Sequence, residues 1–213
     1  MKIGIIGASG KVGALILKEA AARGHETTAI VRNAAKLKET EAAAILEKDI
    51  FALTSQDLSA FDVVVNAFGA PPGQEHLHVE AGRALISALQ DAPHIRLIVV
   101  GGAGSLFVDE AKTTRLVDTP EFPDQYKPTA LNQGKNLEDL QHSTGIKWTF
   151  VSPAAFFNPD GRRTGAYQIG QDNLIVNSQG GSYVSYADFA IAIIDEIEQP
   201  KHMNQRFTVV SEP

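Results

Sequence analysis

The sequence predicts an α/β protein: a Rossmann-type, doubly wound parallel sheet with a small C-terminal substrate lobe. Three observations carry this. Short apolar runs alternate with segments of helical periodicity from Lys2 to Val151, a pattern that folds into parallel strands joined by right-handed crossovers. Glycines stand at 7, 10 and 13, where the first apolar run gives way to the first helical segment. Beyond Pro153 the alternation stops, and residues 160–186 are rich in Gly, Asn, Gln and Ser. The chain 1–213 therefore reads as a single domain, with about 153–186 forming a lobe over the strand ends.

Lys2–Ile6 is a short apolar run and reads as a buried strand; Val12, Leu15, Ile16 and Ala20 carry helical spacing after it. Gly24 stops that helix, and His25–Val31 is the second strand. The charged run Lys36–Glu41 reads as a solvated helix face, and Ala43–Lys48 as the third strand. Thr54–Leu58 is a short helix with Thr54 as its cap. Asp62–Asn66 is a strongly apolar fourth strand, and Pro71-Pro72-Gly73 is a loop. Leu77–Leu89 is a helix with Leu77, Ala81, Leu85 and Ala88 on one face. Ile95–Val100 is the fifth strand, Thr129–Gln141 a helix and Lys147–Val151 the sixth strand. In the lobe, Tyr167–Ile169, Leu174–Val176 and Tyr183–Ser185 are β-like. Tyr186–Glu198 returns to a helix with Phe189, Ile193, Ile194 and Ile197 on one face, capped or anchored by Ser185 or Asp188; Arg206–Val210 is the last strand.

Composition narrows the function. A chain of 213 residues, 44% hydrophobic, can bury a sizeable core. The net charge of −6 and the lack of a basic patch argue against nucleic acid as a partner. No apolar run reaches the roughly 18 residues of a membrane helix, and Met1 leads straight into a strand without a signal-peptide pattern. There is no cysteine, so disulfides, thiolate catalysis, Fe–S clusters and zinc–thiolate sites are excluded. The six histidines are scattered, and His76 and His78 fall on different helix faces, so no metal site is expected. A cytoplasmic enzyme, monomeric or homodimeric, fits this composition.

The glycines point to a ligand. Glycine at a strand-to-helix turn lets the backbone approach a pyrophosphate, whose charge rests on the helix N-terminus. Gly7, Ser9, Gly10, Lys11, Val12 and Gly13 are accordingly candidate cofactor contacts. An NAD site usually places a carboxylate at the end of the second strand to bind the ribose 2′-hydroxyl. Here Val31 is followed by Arg32-Asn33. A cation suits a 2′-phosphate, so NADP is expected, with NAD possible, and Lys11 is placed to assist. Ligands of doubly wound sheets lie across the C-terminal strand ends. That nominates Asp49 for the adenine amino group and Ile50 for the ring face. Ala67, Phe68 and Gly69 follow along the cofactor path, with Gly102, Pro153, Ala154 and Phe156 on the later strand ends.

Gly-Ala-Ser-Gly-Lys-Val-Gly at 7–13, with Gly24-His25-Glu26 and Ile30–Asn33, resembles the atypical short-chain dehydrogenase/reductase superfamily. Val100–Leu106, Trp148–Phe157 and Val184–Phe189 resemble, more narrowly, its NmrA-like, NADH–flavin reductase and biliverdin reductase B-like members. The resemblance implies a Rossmann-type reductase that uses NADPH or NADH with a flavin or similar flat acceptor. Carbonyl-reducing members use a Tyr-x-x-x-Lys pair. In this chain Tyr126 is followed four residues on by Ala130, and Lys135 is preceded four residues back by Leu131. Hydride transfer to a flavin or quinone demands less, since the ring is itself the acceptor. Ser105, at the strand end where the superfamily often has a catalytic serine, and Tyr126 are the catalytic candidates. Phe107, Phe122, Tyr126, Phe156 and Phe157 are candidates for an apolar wall beside the nicotinamide. Two alternatives stand beside the reductase: a non-catalytic NADP-binding redox sensor that engages a regulatory protein, and an epimerase of a nucleotide-linked sugar.

Overall fold

Alternating side chains along the central strands face two different cores, and this pattern fixes the architecture of the computed structural model, which describes residues 1–37 and 40–213. The strands are β1 (Lys2–Ile6), β2 (Glu26–Val31), β3 (Ala44–Glu47), β4 (Val63–Asn66), β5 (Arg96–Val100), β6 (Lys147–Ser152), β7 (Phe156–Asn158), β8 (Tyr167–Gly170), β9 (Tyr183–Ser185) and β10 (Gln205–Ser211). The helices are α1 (Lys11–Ala22), α2 (Ser55–Leu58), α3 (Leu77–Gln90), α4 (Lys127–His142) and α5 (Tyr186–Glu198). Ile3, Ile5, Val63, Val65 and Ile98 point to the α1/α5 side, where they meet Ile16, Phe189 and Ile193. Ile6, Val64, Leu97 and Val99 point to the α3/α4 side, against Leu85, Leu89 and Leu137. Strands buried on both faces are continuous apolar runs, as parallel sheets require.

The main sheet has eight strands in the order β3-β2-β1-β4-β5-β6-β10-β8, all parallel except that β8 runs antiparallel to β10. The chain winds outward from β1 to β3 and then returns to place β4 on the other flank of β1. This reversal opens a crevice at the carboxyl ends of β1 and β4, the position where such sheets take ligands. The predicted α/β doubly wound class is the one observed.

Local chemistry sets the helix ends. Gly24, at φ +81°, terminates α1. Thr54 and Asp57 form a reciprocal capping box on α2. The Ser185 hydroxyl accepts from the Asp188 N–H at 3.0 Å, while the Asp188 carboxylate accepts from the Thr164 and Gly165 N–H groups, both at 2.9 Å. One residue thus caps α5 and the other anchors the preceding loop. α4 starts at Lys127, two residues before the predicted Thr129, because Pro128 is tolerated in a helix's first turn.

Two expectations for the lobe change. Tyr167–Gly170 joins the edge of the main sheet instead of staying in the lobe, since β10 offers it a free strand edge. Leu174–Val176 is not a strand: the Leu174 N–H is held by the Phe107 carbonyl at 2.8 Å, and Val176 is exposed. What remains is the two-stranded parallel sheet of β7 and β9. Of the charged run Lys36–Glu41, Ala34–Lys36 is a short 3₁₀ turn capped by Asn33, and Lys38 and Glu39 lie outside the described residues.

Candidate functional site

At the β1–α1 turn the three glycines have three different jobs. Gly7 sits at φ +77°, and a Cβ there would lie 2.5 Å from the Ala67 carbonyl oxygen. At Gly13 a Cβ would lie 2.3 Å from the Gly7 carbonyl oxygen, so this glycine brings the helix against the strand and does not itself face the groove. At Gly10 the nearest neighbour, the Gly7 carbonyl oxygen, is 3.2 Å away, and the backbone is extended, at φ −82° and ψ 161°. Gly10 is the N-cap of α1 without a side-chain cap bond, and the first turn carries no acid. The turn therefore presents uncapped N–H groups to an open groove, the arrangement that holds an anion.

The groove, about 370 Å³, runs past Gly7, Ser9, Gly10, Lys11 and Val12 to Arg32, Lys48 and Ile50 on one side and Ala67, Phe68 and Gly69 on the other. Arg32 and Lys11 are exposed, and among the described residues neither has an ion-pair partner. Lys48 is paired with Asp57 at 2.6 Å. Asp49 does not line the groove: its carboxylate accepts the Phe51 N–H at 3.0 Å and caps the turn at 50–52. Ile50 and Lys48 are the lining residues at that strand end.

The groove opens into a larger cavity of about 730 Å³, and Val12, Ala67, Phe68, Gly69 and Tyr186 line both. The cavity crosses the ends of β5 and β6 and is closed by the loop before α4 and the first turns of that helix. Gly102, Pro153, Ala154 and Phe156 all line it, as do Phe122, Tyr126 and Phe157. Phe157 is anchored against Tyr186 and Phe189, with ring centroids 4.0 and 4.8 Å away, whereas Phe156 is 60% exposed. Tyr126 is 58% exposed and forms the N-cap position of α4. Lys127 beside it is engaged by Asp124 at 2.8 Å.

Ser105 and Phe107 are elsewhere. A turn closed by the Leu106 N–H on the Ala103 carbonyl carries Ser105 out of the cavity lining. Its hydroxyl and carbonyl both accept from Arg206 Nη1 at 2.9 Å. Arg206 in turn donates to Asp172, and its guanidinium carbon stands 6.0 Å from the Phe107 ring centroid. Ser105 thus belongs to a brace behind the cavity, not to its surface.

The cavity brings in residues that sequence reasoning passed over. His78, on α3, faces the Phe68 ring edge-on at 5.8 Å, and burial holds its imidazole pKa below the ordinary value. Tyr186 stands where groove and cavity meet, and burial, with a smaller effect of Asp160, raises its phenol pKa. Glu121 and Gln133 also line the cavity. A signal for Tyr186 was present in the Val184–Phe189 block; Glu121 and Gln133 carry no motif. Among the described residues no group of three or more His, Asp or Glu is placed to hold a metal ion, and no helix is long and apolar enough to cross a membrane.

Comparison with known proteins agrees with this geometry. The chain is 72% identical over 212 residues to the uncharacterized protein YwnB of Bacillus subtilis (strain 168), covering 100% of this chain and 99% of that one. Among solved structures, a Streptococcus pneumoniae TIGR4 protein named a "putative NADH-flavin reductase" is 44% identical over the full length of both chains, with a TM-score of 0.95. A "putative epimerase" from Bacteroides thetaiotaomicron is 36% identical, with a TM-score of 0.87, over 100% of this chain and 97% of that one. The sequence model of the NAD(P)H-binding family matches residues 7–200. With the uncapped glycine turn at one end of that span and α5 at the other, this chain belongs to the NAD(P)H-binding family.

Proposed function

We propose that the protein is an NAD(P)H-dependent reductase, with NADPH preferred, that transfers hydride to a diffusible flat acceptor such as a flavin or quinone. The observation that carries this is the continuity of the two spaces: a groove built for an anion at a helix N-terminus opens, through Val12, Ala67–Gly69 and Tyr186, into an aromatic-walled cavity. The residues present fit a dinucleotide. The α1 N–H groups and the bare Cα of Gly10 suit the pyrophosphate, Arg32 and Lys11 suit a 2′-phosphate, and Ile50 offers an apolar surface to the adenine.

When bound, the dihydronicotinamide supplies a hydride, two electrons and one proton, and solvent supplies the second proton that completes reduction of the acceptor. The chain's own contribution is positional. Gly102, Pro153 and Ala154 line the strand-end side of the cavity, where a flat ring would lie, and the Phe156 and Phe157 rings stand beside it. Holding the two rings face to face converts a bimolecular encounter into an oriented one. His78 lines the same cavity, and its burial there disfavours the charged imidazolium. Two arms test the reading: NADPH binding followed by fluorescence, and NADPH oxidation with riboflavin, FMN, FAD or a quinone present. Turnover well above the uncatalysed rate supports the reductase.

One observation favours a second reading, the NADP-binding sensor. Lys127 is held by Asp124 and Lys135 is exposed on α4, so neither lysine of that helix is engaged with Tyr126. Tight NADPH binding with no turnover of any flat acceptor would select that alternative.

A further inference from the structure

We propose that the acceptor cavity selects uncharged flat acceptors over anionic ones, and that Glu121 is the residue that sets this selection. The inference rests on the reductase reading above and narrows its acceptor class.

Charge is segregated along the cleft. The groove end carries two exposed cations without ion-pair partners among the described residues, Lys11 and Arg32. In the cavity lining the pattern reverses. Glu121 is there the only Asp, Glu, Lys or Arg among the described residues. It is exposed on the turn closed by the Phe122 N–H and the Thr119 carbonyl, and it has no ion-pair partner among those residues.

Cations of the neighbouring segments are already used. Arg115 donates to Asp118 at 2.8 and 3.1 Å, Lys127 is paired with Asp124, and Lys112 and, behind the wall, Arg206 are both turned to Asp172. The helix ends beside the cavity offer an anion little. At the N-terminus of α4, which carries no side-chain cap, the Lys127 N–H is taken by the Asp124 carbonyl, Pro128 has no N–H, and the Asp124 carboxylate lies just ahead. The N-terminus of α5 is already capped by Ser185.

An acceptor's phosphate or carboxylate would therefore enter this cavity with no cation among the described lining residues to receive it, and one carboxylate to repel it. A phosphate monoester carries about −1.5 to −2 at neutral pH. Two such charges about 6 Å from an exposed carboxylate in water give a penalty of roughly 1.4 kcal/mol, or about tenfold in affinity. An isoalloxazine or quinone ring without ionised groups avoids it.

Riboflavin and FMN test this directly, because they share one ring and one hydride chemistry and differ only in the phosphate. The measurement is kcat/KM for each at saturating NADPH, in low salt, for the wild type, Glu121→Gln and Glu121→Lys. The expected result is a wild-type preference for riboflavin of about tenfold, expressed mainly in KM, that narrows in Glu121→Gln and moves furthest toward FMN in Glu121→Lys. Glu121 is exposed, and unchanged melting temperatures would confirm that the variants are folded. Equal kcat/KM for riboflavin and FMN in the wild type overturns the selection and leaves the reductase reading standing. A riboflavin preference that does not move in Glu121→Lys overturns the role of Glu121. Turnover of neither flavin by protein that binds NADPH overturns the reductase reading, and this inference with it.

Discussion

Gly10→Val separates the binding function of the glycine turn from its folding function. The Gly10 backbone is extended, which valine readily adopts, and a Cβ would find only the Gly7 carbonyl oxygen, at 3.2 Å. The folding cost is then mostly the exchange of a tolerated N-cap residue for a poor one, about 1 kcal/mol. For a domain of this size that lowers the melting temperature by roughly 2–4 °C. Binding responds differently. The isopropyl group projects into the space over the uncapped α1 N–H groups, where the proposed pyrophosphate rests. Losing two charge-assisted hydrogen bonds at about 1.5–3 kcal/mol each removes roughly 3–6 kcal/mol, two to four orders of magnitude in affinity. Thermal unfolding and titration of NADPH by fluorescence give the two numbers. Gly13→Ala is the contrast: its Cβ would lie 2.3 Å from the backbone oxygen of Gly7, so the melting temperature itself should fall sharply. NADPH affinity within tenfold of wild type in folded Gly10→Val would refute the placement of the dinucleotide.

Arg32→Glu should weaken NADPH by about 1.5–3 kcal/mol, toward the lower figure because Arg32 is exposed, and NADH far less; equal losses by titration would remove its phosphate role. Tyr126→Phe should change flavin turnover less than tenfold, and a loss of a hundredfold or more with NADPH affinity intact would make Tyr126 a general acid. The Asp57 carboxyl is held down to about 2, first by Lys48 and then by Thr54, from an ordinary value of 3.8. Its contribution to stability is thus complete above pH 3.8 and lost as pH falls toward 2. The difference in melting temperature between wild type and Asp57→Asn should shrink across that interval; a constant difference would show that the pair does not couple to folding.

The glycine-turn groove was readable in the sequence and the larger cavity was not, for a physical reason. Gly7, Gly10, Val12 and Arg32 sit at fixed offsets from a strand and a helix whose apolar periods are strong, so their relative positions follow from secondary structure. Glu121 and Phe122 come from the stretch between Ser105 and Lys127, which has turns and short 3₁₀ segments but no period. Their convergence on His78 is a tertiary event. Ser105 shows the same limit: its position at a strand end was legible, but the turn at Ala103–Leu106 that points it at Arg206 was not. Tyr167–Ile169 was readable as β-like, yet nothing local said which sheet would take it.

The position of β10 has a consequence for assembly. The last strand in the chain order is an interior strand of the sheet, between β6 and β8. In the main sheet β8 pairs with β10 alone, although β9, α5 and the loops around them lie between the two in the chain. Arg206, on β10, also clamps Ser105 and Asp172 behind the acceptor wall. As the chain emerges from synthesis, β1 to β6 can register with one another through neighbouring crossovers. The edge strand and the brace of the acceptor cavity must wait for Gln205–Ser211. Arg206 and Ser105 are 101 residues apart, and contacts of such long sequence separation form slowly, so the brace behind the cavity is the late step that this strand order imposes.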